Sequence, residues 1–368
     1  MTHPDGAPAR FLAMAASHQI GPTLLGIGTA VPGHDIHDAF IGWARARVDE
    51  RERRVFDRMA ARSGIGHRWS VLPPAPASPV DPGGFYADEP LPGTAERMAL
   101  YAEAAPALAL EAVRDLAARV PLEGITHLVV ASCTGFVAPG IDQLLARALG
   151  LDGAVERTLI GFMGCYAAIA ALRTARHIVR SEPEARVLVV TVELSTLHLQ
   201  AVNEIEPLLA MLQFGDGAAA ALVAAGEGGV ALGRPFSATL PDSDGLIRWD
   251  ITDRGFAMHL SGEVPGRIAG ALADPATVAV LTGGEAVDGW AVHAGGRSIL
   301  DAVEQALGLA PEALAASRAV LADNGNMSSA TLMFVLARMI DAPPARGVAL
   351  AFGPGLAAEG IAFGTAIT

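Results

Sequence analysis

The feature that most limits how this chain can fold is a series of short apolar runs, each followed by a turn that carries glycine or serine. Runs of this kind, rich in small and β-branched residues, are typical of strands buried on both faces of a sheet. They occupy residues 24–30, 127–132, 186–193, 218–224, 289–292, 318–321 and 348–352. Helical patterns separate several of them, so we predict an α/β protein built around a buried sheet.

Helical periodicity and proline content organise the segments between these runs. Residues 36–61 are charged and amphipathic, which predicts one or two surface helices, and residues 95–119 form one long helical pattern. Residues 73–92 hold seven prolines and two glycines, which predicts an irregular loop. A glycine-rich stretch at 226–235 is the best candidate for a domain boundary.

That boundary divides the chain into two predicted halves, 1–225 and 226–368. Both halves repeat the same rhythm of strand, turn and apolar helix, which is consistent with a duplicated α/β architecture. The chain has 368 residues, enough for two such units with a substantial core.

Charge and cysteine content exclude several classes of protein. The 26 basic and 39 acidic side chains give a net charge of −13, which argues against a general nucleic-acid surface. The two cysteines, Cys133 and Cys165, form no CxxC pair and are too few for a disulfide framework or a cysteine zinc site. The apolar run at 11–16 is too short for a secretory core, and no window predicts a membrane span. We therefore expect a cytoplasmic protein.

One turn, at 161–166, places a cysteine at the head of a helix. The segment 167–172 is apolar almost all round, so this helix is expected to be buried. Cys165 would then lie at the positive end of the helix dipole, which favours the thiolate and predicts a lowered pKa. Cys165 is therefore a candidate nucleophile; the alternative is a small buried core cysteine.

Two further turns carry polar side chains at comparable places. His293 follows the predicted strand 289–292 and precedes two glycines, where α/β folds gather their ligands. Asn326 lies in the turn 323–329, ahead of an apolar segment, although a plain helix cap would have the same composition. Together with Cys165, these residue types suit one reaction.

That reaction is a decarboxylative Claisen condensation. A thiolate takes an acyl group from a carrier thioester, and a malonyl thioester then binds beside it and loses carbon dioxide. Histidine and asparagine side chains can donate hydrogen bonds to the enolate oxygen that forms. The chemistry requires no metal and no redox cofactor.

Four motifs make the chain resemble the chalcone-synthase-like type III polyketide synthases over almost its whole length. They are GCYA at 164–167, FGDGAA at 214–219, GNMSS at 325–329 and FGPGL at 352–356. The resemblance implies a thiolase-type duplicated fold of five layers, α-β-α-β-α, and a homodimer. It implies an acyltransferase that joins malonyl-CoA units to an acyl-CoA starter and closes the product to a pyrone or a phenolic ring.

The same resemblance implies roles for individual residues. Cys165 is the nucleophile, and His293 and Asn326 bind and decarboxylate malonyl-CoA. Phe214 takes the place of an aromatic gatekeeper between the CoA tunnel and the cavity. The remaining cavity positions are Cys133, Ser195, His198, Met258 and Ser328. The FGPGL motif supplies the structural loop residues Gly353, Pro354 and Gly355.

The chain also departs from the family pattern at positions that bear on the choice of substrate. Arg58 and Arg62, one helical turn apart, match two basic positions at the CoA tunnel mouth, and such a pair suits a phosphate. Val55 stands where the plant enzymes carry a third basic residue. Cys133 replaces a threonine of plant chalcone synthases, and Met258 replaces a second gatekeeper phenylalanine. Chalcone synthesis is therefore not expected, and alkylpyrones, resorcinols or tetrahydroxynaphthalene fit better as a class.

Other functions use the same residue types. An initiating ketoacyl-carrier-protein synthase or a hydroxymethylglutaryl-CoA synthase shares Cys, His and Asn; the latter needs a glutamate close to the nucleophile, and none lies near Cys165 in sequence. A Cys-His-Asn hydrolase needs a nucleophile that faces water, unlike a buried helix end. A non-catalytic protein of thiolase-type fold would more readily lose one of the three residues.

Overall fold

The computed structural model describes residues 21–74, 78–226 and 228–367, so the predicted absence of a secretory core at 11–16 falls outside the described residues. The strands are β1 (Pro22–Ala30), β2 (His34–Asp35), β3 (Trp69–Ser70), β4 (His127–Ser132), β5 (Glu156–Gly161), β6 (Arg186–Leu194), β7 (Asp216–Ala225), β8 (Val230–Thr239), β9 (Ile247–Thr252), β10 (Gly255–Leu260), β11 (Gly289–Val292), β12 (Gly347–Gly353) and β13 (Ala357–Gly364).

The helices that alternate with these strands begin and end as follows. They are α1 (His37–Arg47), α2 (Arg53–Ala61), α3 (Thr94–Ala117), α4 (Ile141–Ala148), α5 (Ala167–Ser181), α6 (Ile205–Met211), α7 (Val264–Leu272), α8 (Pro275–Thr282), α9 (Arg297–Leu307), α10 (Ala315–Asn324) and α11 (Ser329–Ala337). Within the described ranges, none of them is long and apolar enough to cross a membrane.

Nine strands form one sheet whose two ends repeat the same pairing pattern. The order is β11-β12-β13-β8-β1-β7-β6-β4-β5. In one half, β5, β4 and β6 are parallel, and β7 and β1 then follow antiparallel. In the other half, β11 and β12 are parallel, and β13 and β8 follow antiparallel. The halves meet where β1 pairs with β8, so the fold is a duplication of one unit.

Alternation along the central strands produces the five layers. On β6, Val190 faces the core formed with α1, α3 and α4, whereas Val189 faces the core formed with α5 and α11. On β12, Ala349 faces that same central core, whereas Leu350 faces a third core formed with α7 and α9. Because successive strand residues point to opposite faces, each half-sheet is covered on both sides. The order of layers is α-β-α-β-α, the predicted thiolase-type fold.

The central helices determine where chemistry can occur. Residues 167–172 of α5 and 329–336 of α11 are buried, as expected for helices that are apolar all round. Both helices begin after turns with positive φ angles, at Phe162 and Gly164 before α5 and at Gly325 and Ser328 before α11. A separate hairpin of β9 and β10 lies near the same turns.

One predicted strand is not present in the structure. Residues 318–321 were expected to form a strand, but they lie inside helix α10. A four-residue apolar run carries no periodicity of its own, so it cannot separate a strand from one buried turn of helix. Residues 36–61 form two helices, and the long helix expected at 95–119 is α3.

Candidate active site

Cys165 lies in a short 3₁₀ turn immediately before α5 and is 9% exposed. Gly164 has a φ of 74°, a conformation that favours glycine. A Cβ on Gly164 would lie 2.5 Å from Cδ of Pro354, and one on Gly353 would lie 2.7 Å from the ring of Tyr166. The loop at 353–355 therefore packs directly against the cysteine turn and leaves no room for larger residues.

The turn before α11 brings an amide and a hydroxyl to the same place. Asn326 donates through Nδ2 to the Gly295 carbonyl at 3.2 Å, and its Oδ1 accepts from the Ser328 N–H at 2.8 Å. Ser328 has a φ of 47°, which costs about 1–3 kcal/mol in a residue other than glycine. Its Oγ lies 3.3 Å from Sγ of Cys133. Both Asn326 and Ser328 lie close enough to the Cys165 thiol to lower its pKa.

His293 follows β11 and is 2% exposed. Burial lowers its pKa to about 3, so the imidazole is neutral at physiological pH. Neither ring nitrogen has a hydrogen-bond partner among the residues that the structure describes. Its backbone carbonyl accepts from the N–H of Gly295 at 2.9 Å, and Gly295 in turn holds Asn326. A buried polar ring without partners is available to a ligand.

The protonation state of Cys165 differs from the sequence prediction. Its pKa is raised to about 11, with burial as the largest cause; the Ser328 hydroxyl and the Asn326 amide lower it, and the nearby Glu193 carboxylate raises it. The prediction of a lowered pKa considered only the helix dipole and was therefore wrong for the resting protein. Desolvation of the thiolate outweighs the donors, so the resting thiol is protonated.

Glu193 is a buried carboxylate that the sequence analysis missed. It lies near the end of β6 with no exposed surface, and burial raises its pKa. Its oxygens accept from the N–H and the thiol of Cys133 at 3.0 and 3.1 Å, from the Thr134 hydroxyl at 2.9 Å, and from the Ser329 hydroxyl. The sequence does carry one sign of this residue, because Glu193 is the single carboxylate in an otherwise apolar strand. A carboxylate buried in such a strand requires a hydrogen-bond partner inside the protein.

Two small chambers lie beside these turns. The thiol chamber, of about 20 Å³, is lined by residues that include Cys133, Phe162, Cys165, Trp249, Met258 and Ser328. The histidine chamber, of about 30 Å³, is lined by residues that include Ser195, His198, Phe214, Trp249, Phe256 and Met258. All the predicted cavity positions line one chamber or both. Trp249 lines both chambers, and the sequence analysis did not identify it.

His198 and Ser195 have different roles in the wall of the histidine chamber. Nδ1 of His198 accepts from the Phe256 N–H at 3.0 Å, so Nε2 carries the proton and donates to the Thr134 carbonyl at 2.7 Å. Burial lowers the pKa of His198 to about 3. Both nitrogens are therefore committed, and His198 ties β10 to the Thr134 loop. The buried Oγ of Ser195 has no partner within the described residues and can bind a ligand.

A third cavity, of about 430 Å³, opens beside α2 and is called the mouth here. Its lining includes Arg62, Ser63, Leu212, Gln213, Arg297 and Ser298. Of the two predicted CoA-binding arginines, Arg62 lines the mouth and Arg58 does not. Arg297, at the start of α9, was not identified from the sequence, and its Nη1 donates to the Arg62 carbonyl at 3.2 Å. Phe214 lines the histidine chamber, and its neighbour Gln213 lines the mouth.

The residues that the structure describes contain no group of three His, Cys, Asp or Glu side chains arranged to hold a metal ion. Both cysteines are free and buried. The functional groups of the site are therefore a thiol, an imidazole, an amide, hydroxyls and one carboxylate.

Comparison with known proteins identifies the family. The model for the N-terminal domain of chalcone and stilbene synthases matches residues 12–227, and the model for their C-terminal domain matches residues 234–366. The chain is 33% identical to the alpha-pyrone synthesis polyketide synthase-like Pks18 of Mycobacterium tuberculosis over 98% of this chain and 97% of the relative. It is 38% identical to bisdemethoxycurcumin synthase of Oryza sativa subsp. japonica over 74% of each protein.

Solved structures agree with these relatives. PKS-I from the brown alga Ectocarpus siliculosus superposes with a TM-score of 0.84 at 30% identity, covering 94% of this chain and 98% of that one. The C-terminal type III polyketide synthase domain of Steely1 from Dictyostelium superposes with a TM-score of 0.85 at 27% identity, covering 94% and 99%. These matches favour a polyketide synthase over a ketoacyl-carrier-protein synthase, a hydroxymethylglutaryl-CoA synthase or a hydrolase. The chain belongs to the chalcone and stilbene synthase family of type III polyketide synthases, which are acyltransferases.

Proposed function

We propose that this protein extends an acyl group held on Cys165 with units from malonyl-CoA and releases the chain as a pyrone or a phenolic product. The observation that carries the proposal is the set of polar groups at three neighbouring turns: Cys165 before α5, Asn326 before α11, and His293 after β11, whose turn is linked to that of Asn326 through Gly295. The Asn326 and Ser328 side chains lower the pKa of the buried Cys165 thiol, and the neutral His293 ring has no partner among the described residues.

Acylation requires a base because the resting thiol is protonated. We assign that role to His293, whose neutral ring can accept a proton. As the proton leaves Cys165, the sulfur attacks the carbonyl carbon of the acyl-CoA starter. The new C–S bond replaces the one to CoA, and the departing CoA thiolate takes the proton from His293. The acyl-enzyme and a neutral imidazole remain.

Chain extension uses the same imidazole as a donor. A malonyl-CoA bound beside the acyl-enzyme loses carbon dioxide, and the negative charge moves to its thioester oxygen. His293 and the Asn326 amide donate hydrogen bonds to this enolate oxygen without transferring a full proton, because neither is an acid in this pH range. The enolate carbon then attacks the acyl carbonyl and displaces the Cys165 thiolate. Thiolate attack on the extended CoA thioester reloads the enzyme.

In this proposal, the nucleotide part of CoA binds at the mouth. Arg62 and Arg297 face the same cavity, and Ser63 and Ser298 add hydroxyl donors. Arg297 supplies from the C-terminal half a second cation beside Arg62, and Asp301, its partner at 3.5 Å, is held more closely by Arg318. Guanidinium groups bind phosphates with charge-assisted hydrogen bonds.

Steady-state kinetics test directly whether the mouth binds the phosphates of CoA. Arg62→Ala and Arg297→Ala should each raise KM for malonyl-CoA about five- to tenfold through loss of a charged hydrogen bond. KM for malonyl-pantetheine, which lacks the nucleotide, should stay unchanged. Arg58→Ala should have a smaller effect, and the exposed Arg54→Ala serves as the control. Equal losses with both substrates would contradict a phosphate site.

Assembly as a homodimer is part of the proposal. Strand β5 lies at one edge of the sheet, and an unpaired strand edge is a template for association. The large side chains of Leu159 and Phe136 are 47% and 49% exposed beside it. Leu159→Arg should shift the sedimentation coefficient of a dimer toward that of a monomer, whereas Ile251→Arg, at another exposed apolar position, should not. A monomeric wild-type protein would refute the dimer.

The proposed chemistry needs CoA thioesters and reduced thiols, which points to the cytoplasm as the place of action. It requires no metal and no redox cofactor. The two halves contribute different parts, since residues 1–225 hold the nucleophile and residues 226–368 hold the histidine and the amide.

The experiment that tests this function is mass spectrometry of the products formed from malonyl-CoA and a panel of acyl-CoA starters. Pyrones or phenolic rings that depend on Cys165 are the expected result. Release of free CoA without chain extension would instead indicate a hydrolase.

A further inference from the structure

The exposed side of helix α2 is basic, although the chain as a whole is acidic. Residues 51–62 contain five arginines and two acidic side chains, whereas the full chain has a net charge of −13. Residues three or four positions apart lie on one side of a helix. By this spacing and by the exposure of their side chains, five residues form what we call the α2 face: Arg54, Val55, Arg58, Met59 and Arg62.

The three arginines of the α2 face have no ion-pair partner among the residues that the structure describes. The one carboxylate within α2, that of Asp57, pairs instead with Arg45 of α1 at 2.7 Å. The arginines follow one another at intervals of four residues, and like charges at that spacing repel each other on a helix. Negative charge from outside the chain would relieve this repulsion.

Apolar side chains are exposed between these arginines. Val55 is 39% exposed and Met59, one turn further on, is 51% exposed. A phosphate or a nucleotide needs cations but gains nothing from two exposed aliphatic side chains. Apolar side chains surrounded by charged ones are instead the composition of a surface that binds another protein. The α2 face therefore fits an acidic protein better than a small anion.

The α2 face reaches the entrance that the proposed function assigns to thioester substrates. Met59 and Arg62, at one end of the face, line the mouth. Arg54, at the other end, is about 12 Å from Arg62 along the helix axis. A protein bound to this face would therefore lie beside the mouth. Acyl carrier proteins are small, acidic and helical, and they hold acyl thioesters on the same pantetheine arm as CoA.

We propose that the α2 face docks an acidic acyl carrier protein, which delivers the starter acyl group on its phosphopantetheine arm through the mouth to Cys165. The inference rests on the proposed polyketide function and deepens it, because it names the donor of the starter; malonyl-CoA remains the extender. In the transfer, the Cys165 sulfur attacks the thioester carbon, and the bond from that carbon to the pantetheine sulfur breaks. The departing pantetheine thiolate takes the proton that left Cys165, by way of His293.

The two ends of the α2 face have different roles in such a complex. Carboxylates of the carrier protein pair with Arg54 and Arg58, and its apolar side chains pack on Val55. The phosphate of the arm binds at the mouth, where Arg62 and Arg297 also serve free CoA. Arg54 therefore contributes to transfer from a carrier protein and not to transfer from CoA.

Acylation of Cys165 compares the two donors directly. The protein is mixed with the most productive starter, either as acyl-CoA or loaded on the acyl carrier protein of a bacterial fatty acid synthase, and intact mass follows the acyl group with time. We expect both donors to acylate the wild type. Arg54→Glu should slow transfer from the carrier at least about tenfold, because like charges then face each other. It should slow transfer from CoA less than about twofold, since salt screens a charge at this distance.

Two further variants control for the size and the place of the charge change. Arg54→Ala removes one exposed pair and should slow transfer from the carrier about two- to fivefold. Arg180→Glu makes the same change in net charge at an exposed arginine in the last turn of α5 and should slow neither transfer.

Each other outcome contradicts a different part of the account. Acylation by CoA and not by the carrier protein would overturn the docking proposal. An unchanged carrier rate in Arg54→Glu, or equal losses with both donors, would show that the carrier does not bind the α2 face. A sedimentation coefficient that falls in Arg54→Glu without any carrier would assign the face to a second copy of this chain. No acylation by either donor would refute the proposed function instead.

Discussion

The surroundings of the two buried cysteines differ in the hydrogen bonds that they offer. Cys133 donates its S–H to the Glu193 carboxylate at 3.1 Å, so its neighbour stabilises the protonated thiol. The Ser328 hydroxyl and the Asn326 amide lie beside Cys165 and lower the pKa of its thiol, which favours the thiolate. Ser328 lies beside both sulfur atoms, and both thiols are buried.

The two thiols therefore share burial and differ in the donors and acceptors around them. Burial is the largest cause of the raised pKa at both positions. An acceptor beside Cys133 holds its proton in place, and the pKa is raised well above the usual range. Beside Cys165, the Ser328 hydroxyl and the Asn326 amide oppose the effect of burial, and the pKa of the thiol is raised only to about 11.

The largest expected effect comes from removing each sulfur in turn. Cys165→Ala should lower product formation by at least about 10³-fold, because the acyl chain loses its attachment. Cys133→Ala should leave acylation intact and lower kcat by less than about tenfold, since it removes only a wall residue and one hydrogen bond. Steady-state product formation measures both. Equal losses would show that the two environments are not functionally distinct.

The next effect concerns the donor that distinguishes Cys165. Asn326→Ala should lower malonyl-CoA decarboxylation about 10²- to 10³-fold, because the enolate oxygen loses one of its two donors. Release of labelled carbon dioxide from malonyl-CoA is the measurement. Asn324→Ala provides the control, since that buried amide donates within α10 to the Val320 carbonyl. A similar loss in both variants would indicate general damage to the turn.

The smallest effect concerns the carboxylate beside Cys133. The charge of Glu193 raises the pKa of both thiols. Glu193→Gln should therefore lower the pKa of Cys165, so that its alkylation by iodoacetamide rises at a lower pH than in the wild type. Peptide mass spectrometry follows the modification of Cys165. Glu359→Gln, at a buried carboxylate paired with Arg173, should leave the profile unchanged.

An unchanged profile in Glu193→Gln would mean that the carboxylate is neutral at rest. The two cysteines would then differ only in their hydrogen bonds. A shift to higher pH would contradict the electrostatic part of the comparison, because removal of a negative charge must favour the thiolate.

The reactive turns could be predicted from the sequence because their signals are local. A glycine before Cys165 and the GNMSS motif around Asn326 mark turns at the starts of helices, and the apolar character of those helices predicts that they are buried. Six of the thirteen strands that the structure describes were predicted for the same reason: β1, β4, β6, β7, β11 and β12. The predicted strand at 318–321 failed because its run is too short to carry a period.

The residues that were missed depend on contacts between distant segments. Glu193 accepts hydrogen bonds from donors about 60 and 136 positions away along the chain. No local sequence pattern indicates these donors. Trp249 resembles any aromatic residue of a strand until the hairpin is seen between the two chambers. Arg297 resembles an ordinary first residue of a helix, and only the fold places it beside Arg62.

One experiment tests directly whether Cys165, and not Cys133, carries the acyl chain. The protein is incubated with an acyl-CoA starter without malonyl-CoA, and intact mass and peptide mapping locate any covalent acyl group. We expect one acyl group on the peptide that contains Cys165, in the wild type and in Cys133→Ala, and none in Cys165→Ala. An acyl group on Cys133, or product formation without any acyl-enzyme, would contradict the account.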